Sequence, residues 1–346
     1  MTVRLATYNV EWFNALFDDR GHLLDNRSRS ARYEVTKAEQ LAALGIVFAA
    51  LDADGILVVE APDQGSHRST VRALETFARR YDLRTRKAVH GFTSETEQEI
   101  AFLYDPDRLT VRHDPQGVPT NAAGAHGEAR FDQTFRYDLD ADGVSDLIRF
   151  SKPPLELLIT PAGGAPFRLI GVHAKSKAPH GVSDKAAFTR ISIDNRRKQL
   201  AECLWIRARA EAHLAAGEPL VILGDFNDGP GLDEYEKLFG RSGIEIVLGT
   251  PPAPRLKDPH ADLALASRVG LAPTTARFWL APMQRYFEAL VDFIMVSPDL
   301  AAPDLPKKSP VWRIWHPFND PAVVKTPGLA QAILTASDHF PVTIDL

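Results

Sequence analysis

Six short polar clusters each close an apolar, strand-like run, and this arrangement narrows the folds open to the chain. They are Asn9 and Glu11 in LATYNVEW, Glu60 in ILVVEAPD, His173 and Lys175 in GVHAKSK, Asp225 and Asn227 in ILGDFND, Asp292 in LVDFIMVS, and Asp338 and His339 in SDHFPV. Runs such as ILVV and LVIL are apolar enough to be buried on both faces, which describes central strands of a covered sheet. Polar groups at the ends of several such strands imply one polar site on the rim of a sheet core.

Side chains alternate faces along a strand, so residues two apart point the same way. On that rule Asn9 and Glu11 share a face, as do His173 and Lys175, and Asp225 and Asn227, each pair flanking an apolar residue. Carboxylates and imidazoles in such places are costly unless they are paired or bound to a cation. The oxygen-rich set contains no cysteine pair and no His-x-x-x-His, which suits Mg²⁺ or Mn²⁺ better than Zn²⁺.

Taken singly, each cluster also fits a structural role. Glu60 could be a strand-end partner in a salt bridge, Asp225-Phe226-Asn227 an Asx-turn, and the His173 and Asp338 segments solvated turns. The functional reading gives Asp225 a water to orient or deprotonate and Asn227 a phosphoryl oxygen to hold. It places Gly224 where the backbone approaches substrate. Asp338 falls near a metal and His339 on phosphate, with Asp292 fixing the imidazole tautomer. Lys175, Lys152, Arg196, Arg197 and Lys198 could extend a phosphate-binding surface.

The chain has 346 residues, 45% of them hydrophobic, enough for a large core. Length alone permits two domains. A site drawing on both Asn9 and His339 implies a single domain over 1–346, because the two ends of the chain must meet. The formal net charge of -5 excludes a broadly basic nucleic-acid coat but not a local basic face. The lone Cys203 excludes an intrachain disulfide and reads as a small buried side chain in a helix. No apolar run spans a membrane, and if Met1 is the natural start no signal peptide precedes the strand expected at 3–10, so the expected compartment is the cytoplasm.

Along the chain, strands are expected at 3–10, 56–59, 100–104, 167–173, 219–223, 290–297 and 341–346. Helices are expected at 36–51, 69–81 and 192–216, with a short one within 228–240. Thr36 and Glu39 fit a capping box. Residues 14–34, 176–190 and 250–288 read as loops, and 113–154 as an inserted loop followed by a hairpin. Within that hairpin Asp138, Asp140, Asp142 and Asp146 resemble the start of a calcium loop, but Arg149 stands where the twelfth-position acid belongs. A structural Ca²⁺ site and a plain acidic hairpin tip both remain open. The strand and helix alternation gives an α/β class.

The ordered set YNVEWFN, VVE, VHAKSK, LGDFND, VDFI and SDHFPV resembles the endonuclease/exonuclease/phosphatase superfamily over nearly the whole chain. The resemblance implies a four-layer α/β sandwich of two mostly antiparallel sheets flanked by helices. It implies Glu60 as principal ligand of a Mg²⁺ or Mn²⁺ ion, assisted by Asn9 and Asp338 with Glu11 close by. It puts Asp225 and Asn227 at the attacking water and phosphate, His173 on the phosphate, and His339 paired with Asp292. Which of Asp225 and His339 is the base, and whether one or two ions act, stays open. Deoxyribonuclease-like members also use a carboxylate just before the strand expected at 100–104, where Gln98 and Glu99 stand. Inositol-polyphosphate 5-phosphatases carry an arginine where Phe293 stands here, and abasic-site enzymes an aromatic where Glu288-Ala289-Leu290 stands.

The function expected is metal-dependent phosphodiester hydrolysis, foremost of DNA or RNA. Cleavage of a small phosphoester or phospholipid headgroup is the alternative, and a non-catalytic binding module a third.

Overall fold

The computed structural model describes residues 2–119, 129–138, 143–177, 185–232, 239–266, 272–280, 284–302 and 309–346. Among these described residues fifteen strands run in chain order: β1 (Arg4–Asn9), β2 (Gly55–Ala61), β3 (Lys87–His90), β4 (Glu99–Tyr104), β5 (Leu109–His113), β6 (Phe135–Tyr137), β7 (Asp146–Ile148), β8 (Leu155–Pro161), β9 (Phe167–His173), β10 (Leu220–Asp225), β11 (Ala276–Leu280), β12 (Arg285–Ala289), β13 (Asp292–Val296), β14 (Val311–Ile314) and β15 (Val342–Asp345). They form one six-stranded sheet in the order β14-β15-β1-β2-β4-β3 and one five-stranded sheet in the order β13-β10-β9-β8-β5. Two separate hairpins, β6-β7 and β11-β12, complete the set. Only β1-β2 and β9-β10 pair in parallel, and every other pairing is antiparallel.

The strands that read as continuously apolar are buried on both faces because both faces are covered. Between the sheets lie Leu57, Val59, Ile100 and Phe102 from one side and Leu157, Leu169, Val221 and Ile294 from the other. Gly171 sits in this interface, where a Cβ would lie 2.3 Å from Leu57 Cδ1. Ile56, Val58, Ala101 and Leu103 point outward, under α1 (Lys37–Leu51), α2 (Thr70–Arg80) and the helix Leu329–Ala336. Ile170, Val172, Ile222 and Met295 point outward under α3 (Lys185–Ala215) and the helix Gly243–Leu248. The result is a helix–sheet–sheet–helix stack of four layers.

Local signals set the helix starts. Thr36 and Glu39 form a reciprocal capping box on α1, and Ser69 caps α2 through the Arg72 amide. β3, β5, β8, β11, β12 and β14 were not expected. The first and last of these are edge strands of only four residues, too short to display a strand period, while β11 and β12 fall in a segment that reads as loop because of its flanking prolines. The short helix expected within 228–240 falls mainly outside the described residues.

Candidate active site

The row Asp292–Asp225–His173 comes directly from strand register. β10 pairs with β13 so that Asp225 stands opposite Asp292, and with β9 so that Asp225 stands opposite His173. Three polar side chains therefore occupy adjacent strands at one level of the sheet. Gly224 makes that register possible. Its φ is +141°, and a Cβ there would lie 2.0 Å from the Val172 carbonyl oxygen of β9. The expectation that this glycine admits substrate is thus corrected: it admits the neighbouring strand.

Asp225 Oδ2 is the meeting point. Asn9 Nδ2 donates to it at 3.0 Å and Asn227 Nδ2 at 3.3 Å, while the Asn227 amide donates to Oδ1 at 2.7 Å. His173 Nε2 lies 3.8 Å from Oδ2 and His339 Nε2 3.9 Å. Burial raises the Asp225 carboxyl to about 7, opposed by His339 and reinforced by Asp292. His339 Nδ1 lies 2.8 Å from Asp292 Oδ2. Burial disfavours charge on His339, but the charge of Asp292 and its hydrogen bond, followed by Asp225 and Asp338, hold the imidazole well above its ordinary range. His173 goes the other way. Burial, then Lys152 and His339, push it well below, so it is neutral, with Lys152 Nζ 3.4 Å from its Nε2. The two imidazoles facing one carboxylate therefore differ in charge.

Face alternation does not carry past the strand ends. Glu11 lies beyond β1, Trp12 follows at φ 55°, Glu60 sits at φ 58° in a bulge between Val59 and Ala61, and Asn227 sits at φ 50°. These left-handed residues re-aim the side chains that strand geometry would have pointed elsewhere. Glu60 is held by the Trp12 amide, which donates to Oε2 at 3.0 Å. Glu11 accepts from Arg32, whose other terminal nitrogen reaches the Leu334 carbonyl at 2.6 Å. Burial and the charge of Asp338 raise the Glu11 carboxyl. Asp338 in turn is raised by burial and by Glu60, against His339 and Arg32.

Glu11, Glu60 and Asp338 are therefore neighbours that repel one another. Asn9 Oδ1 is buried and without a hydrogen-bond partner, while Nδ2 of the same side chain donates to Asp225. An uncompensated oxygen set of this kind fits a hard divalent cation. Asp225, Asp292 and His339 also present ligand atoms within 4.8 Å of one another. Asp292 Oδ2 and His339 Nδ1 already pair with each other there, whereas the oxygens of Asn9, Glu11, Glu60 and Asp338 form a second group that could hold an ion.

Supporting residues that the sequence did not flag hold the loops. Ser337 Oγ donates to the Asn9 carbonyl at 2.8 Å and accepts from the amides of Glu11 and His339. Gln199 Nε2 bonds the carbonyls of Lys175, Phe226 and Asn227, and Thr275 Oγ1 receives the amides of Val291 and Asp292. Glu202 accepts the Lys175 amide at 2.7 Å. A lone Ser, Thr or Gln in a helix or loop carries no sequence signal for such a role.

The basic surface is smaller than expected. Arg196 is fully buried and ion-paired with Asp228, which also pairs with the partly exposed Lys177, so Arg196 is part of the core and not a phosphate contact. Lys198 bonds Ser151 Oγ at 2.9 Å. Lys152 and Lys175 flank His173, and Arg197 is half-buried on α3. Glu99, at the position where deoxyribonuclease-like members use a carboxylate, accepts from the Ser94 amide at 3.0 Å and lies 3.2 Å from His90 Nε2. Of the acidic hairpin, Asp138 caps the Gly143 amide at 2.9 Å and Asp146 is exposed on β7, while Asp140 and Asp142 lie outside the described residues.

A two-sheet sandwich carrying buried carboxylates and imidazoles on one rim defines a phosphoesterase of the α/β-sandwich type. The chain belongs to the Endonuclease/Exonuclease/phosphatase family, whose model matches residues 6–339, and whose members are hydrolytic phosphoesterases that generally use a divalent metal. No curated protein sequence matches the chain. Among solved structures it is similar to TDP2 from D. rerio complexed with single strand DNA product (10% identity, 99% of this chain and 98% of that one, TM-score 0.50). It is also similar to TDP2 from Caenorhabditis elegans (12% identity, 100% and 74%, TM-score 0.49) and to a family protein from Bacteroides thetaiotaomicron (14% identity, 100% and 94%, TM-score 0.49). These likenesses concern the fold. No helix among the described residues is long and apolar enough to cross a membrane.

Proposed function

We propose that the protein is a Mg²⁺- or Mn²⁺-dependent phosphodiesterase acting on nucleic acid. The observation that carries this reading is the convergence of Asn9, Asn227, His173 and His339 on one oxygen of Asp225. A divalent ion held by Glu60, Asn9 and Asp338, with Glu11 beside them, would polarise the phosphoryl group and neutralise its charge. Asp225, with its carboxyl near neutrality, orients the attacking water and accepts its proton. Protonated His339, steadied by Asp292, and the Asn227 amide group donate to the phosphoryl oxygens as negative charge builds. Lys152 adds a further cation and holds the neutral His173 ring in place.

The test is hydrolysis of plasmid DNA, single-stranded DNA, RNA and bis(4-nitrophenyl) phosphate with Mg²⁺ or Mn²⁺, with Asp225→Ala as the control. Turnover that requires the metal and is lost in the variant supports the reading. No turnover on the whole panel, or undiminished turnover in Asp225→Ala, rejects it. The excess of 45 acidic over 40 basic residues favours the second reading, a small phosphoester, and a sugar phosphate and a phospholipid headgroup belong in the same panel.

A further inference from the structure

The hairpin β11-β12 is tied to the site at its base and aromatic along its length. The Arg277 amide donates to the Asp338 carbonyl at 2.7 Å, and the Phe340 amide to the Thr275 carbonyl at 2.6 Å. Phe278 stands opposite Phe287 in the register, and Trp279 opposite Tyr286. Strand alternation places these two cross-strand pairs on opposite faces of the hairpin. The inner pair meets the reaction centre, because the Phe278 ring lies 5.4 Å from that of His339. On the outer face Trp279 and Tyr286 pack 4.9 Å apart, and the Arg277 guanidinium lies 3.9 Å from the Tyr286 centroid and 5.0 Å from that of Phe318.

These rings are not buried. Trp279 is 40% exposed, Tyr286 52%, Phe287 38% and Phe318 49%. On the outer face Tyr286 and Phe318 flank the guanidinium and Trp279 packs on Tyr286, while Phe287 is open on the inner face; such exposed rings are unusual for a surface with no ligand to cover. Neither pair belongs to the core of either sheet. Glu288 Oε1 lies 3.5 Å from Arg277 Nε, which is itself buried, and the Arg277 side chain as a whole is partly exposed.

We infer that this hairpin is a stacking arm for the unpaired bases of a single-stranded nucleic acid whose scissile phosphate lies at Asp225. The inference rests on the phosphodiesterase reading for the position of the phosphate, and on the hairpin alone for the bases. Every nucleobase has a π-face, so a ladder of rings with an interleaved arginine recognises single strands without reading sequence. In a duplex those faces are covered by their neighbours. The chemistry also suits an acidic protein. With a net charge of -5 the protein as a whole does not attract a polyanion, and stacking adds attraction that does not depend on phosphate contacts.

The experiment uses the full chain and an oligothymidylate. Its first readout is the ratio of kcat/KM on the single strand to kcat/KM on bis(4-nitrophenyl) phosphate, compared with the same ratio for a duplex of equal length. Alanine at Trp279 together with Tyr286 is expected to lower the single-strand ratio about tenfold or more, chiefly through KM, as loss of base stacking does. The second readout needs no turnover: tryptophan emission titrated with oligothymidylate in EDTA. Quenching is expected in the wild type and is expected to be smaller in Trp279→Phe, which keeps a ring at that position while removing its indole and leaves the exposed Trp12 beside Glu60 as the remaining reporter. A single-strand ratio unchanged in the double variant, a duplex preferred to the single strand, or quenching as large in Trp279→Phe as in the wild type each overturns the arm. Self-association of the protein that Tyr286→Ala abolishes also overturns it, because the rings would then belong to a contact between copies. If no substrate is hydrolysed but oligothymidylate quenches Trp279, the phosphodiesterase reading fails and the arm stands.

Discussion

His339 Nδ1 lies 2.8 Å from Asp292 Oδ2, and the other oxygen of Asp292 is buried with no partner. One carboxylate thus serves one imidazole, and the pair bridges β13 and the segment before β15 across the gap between the sheets. Asp292 fixes the ring orientation and stabilises its charged form. Asn at 292 keeps the shape but removes the charge, so Asp292→Asn is expected to lower kcat by about 100-fold or more. KM should change little, because the ring still occupies its place. Steady-state kinetics on bis(4-nitrophenyl) phosphate with Mg²⁺ measure this. A loss of less than about threefold would assign His339 no proton-bearing role.

Mutual repulsion among Glu11, Glu60 and Asp338 is relieved when a cation binds them. Mg²⁺ is therefore expected to raise the melting temperature. A ligand at 100 times its Kd adds about 2.7 kcal/mol of stability by linkage. In Glu60→Gln the Trp12 amide keeps an acceptor but the site loses a charge. The metal-free variant should melt at or above the wild type, and Mg²⁺ should raise its melting temperature far less. Thermal melts with and without EDTA decide it. An equal Mg²⁺ response in both proteins would place the ion elsewhere.

The two sheets and their long central strands were legible because burial on both faces leaves a continuous apolar run, as in ILVV and LVIL. The contents of the rim were legible too, since Asp225, Asp292 and His173 are polar exceptions at the ends of such runs. Their mutual geometry was not. Alternation paired Asn9 with Glu11 and Asp225 with Asn227, whereas left-handed turns at Trp12, Glu60 and Asn227 set those side chains. A non-glycine residue at positive φ leaves no mark on the sequence when tertiary contacts impose it. Arg196 reads as surface charge on a helix because its partner, Asp228, is distant in sequence and joins it only in the fold. The aromatic hairpin was hidden for a related reason: the prolines around β11 and β12 signal loop, and its strands pair with no sheet.

Gly224 carries a φ of +141° with the Val172 carbonyl oxygen 2.0 Å from where its Cβ would be. Alanine would be strained in its backbone and would also push β10 off β9, shifting Asp225 from His173. Gly224→Ala is expected to cost at least about 2 kcal/mol of stability. It should also depress activity beyond what the remaining folded fraction explains. Urea denaturation with activity measured at low urea separates the two effects. Wild-type stability and turnover would show that the strand yields, and that the glycine serves something other than register.

Glu202 is buried on α3 and accepts the Lys175 amide, and burial raises its carboxyl to about 7 against the pull of Lys198, Lys152 and Lys175. The unfolded chain holds the same group near its ordinary value of 4.5. Between those two values the folded state binds the proton and the unfolded state releases it. The favourable contribution is therefore complete below pH 4.5 and is lost as pH rises through about 7. Each unit of raised pKa corresponds to about 1.4 kcal/mol. Gln at 202 cannot ionise and its carbonyl still accepts the Lys175 amide, so it should be relatively more stable as pH rises. Asp225 and Asp258 are raised in the same direction, so the wild-type profile alone does not isolate Glu202. The difference between Glu202→Gln and wild type does. Denaturation midpoints at pH 5 and pH 8 should show that difference moving in favour of the variant at the higher pH. A difference that is the same at both values would mean that the folded protein holds Glu202 ionised throughout, matched by the three lysines around it.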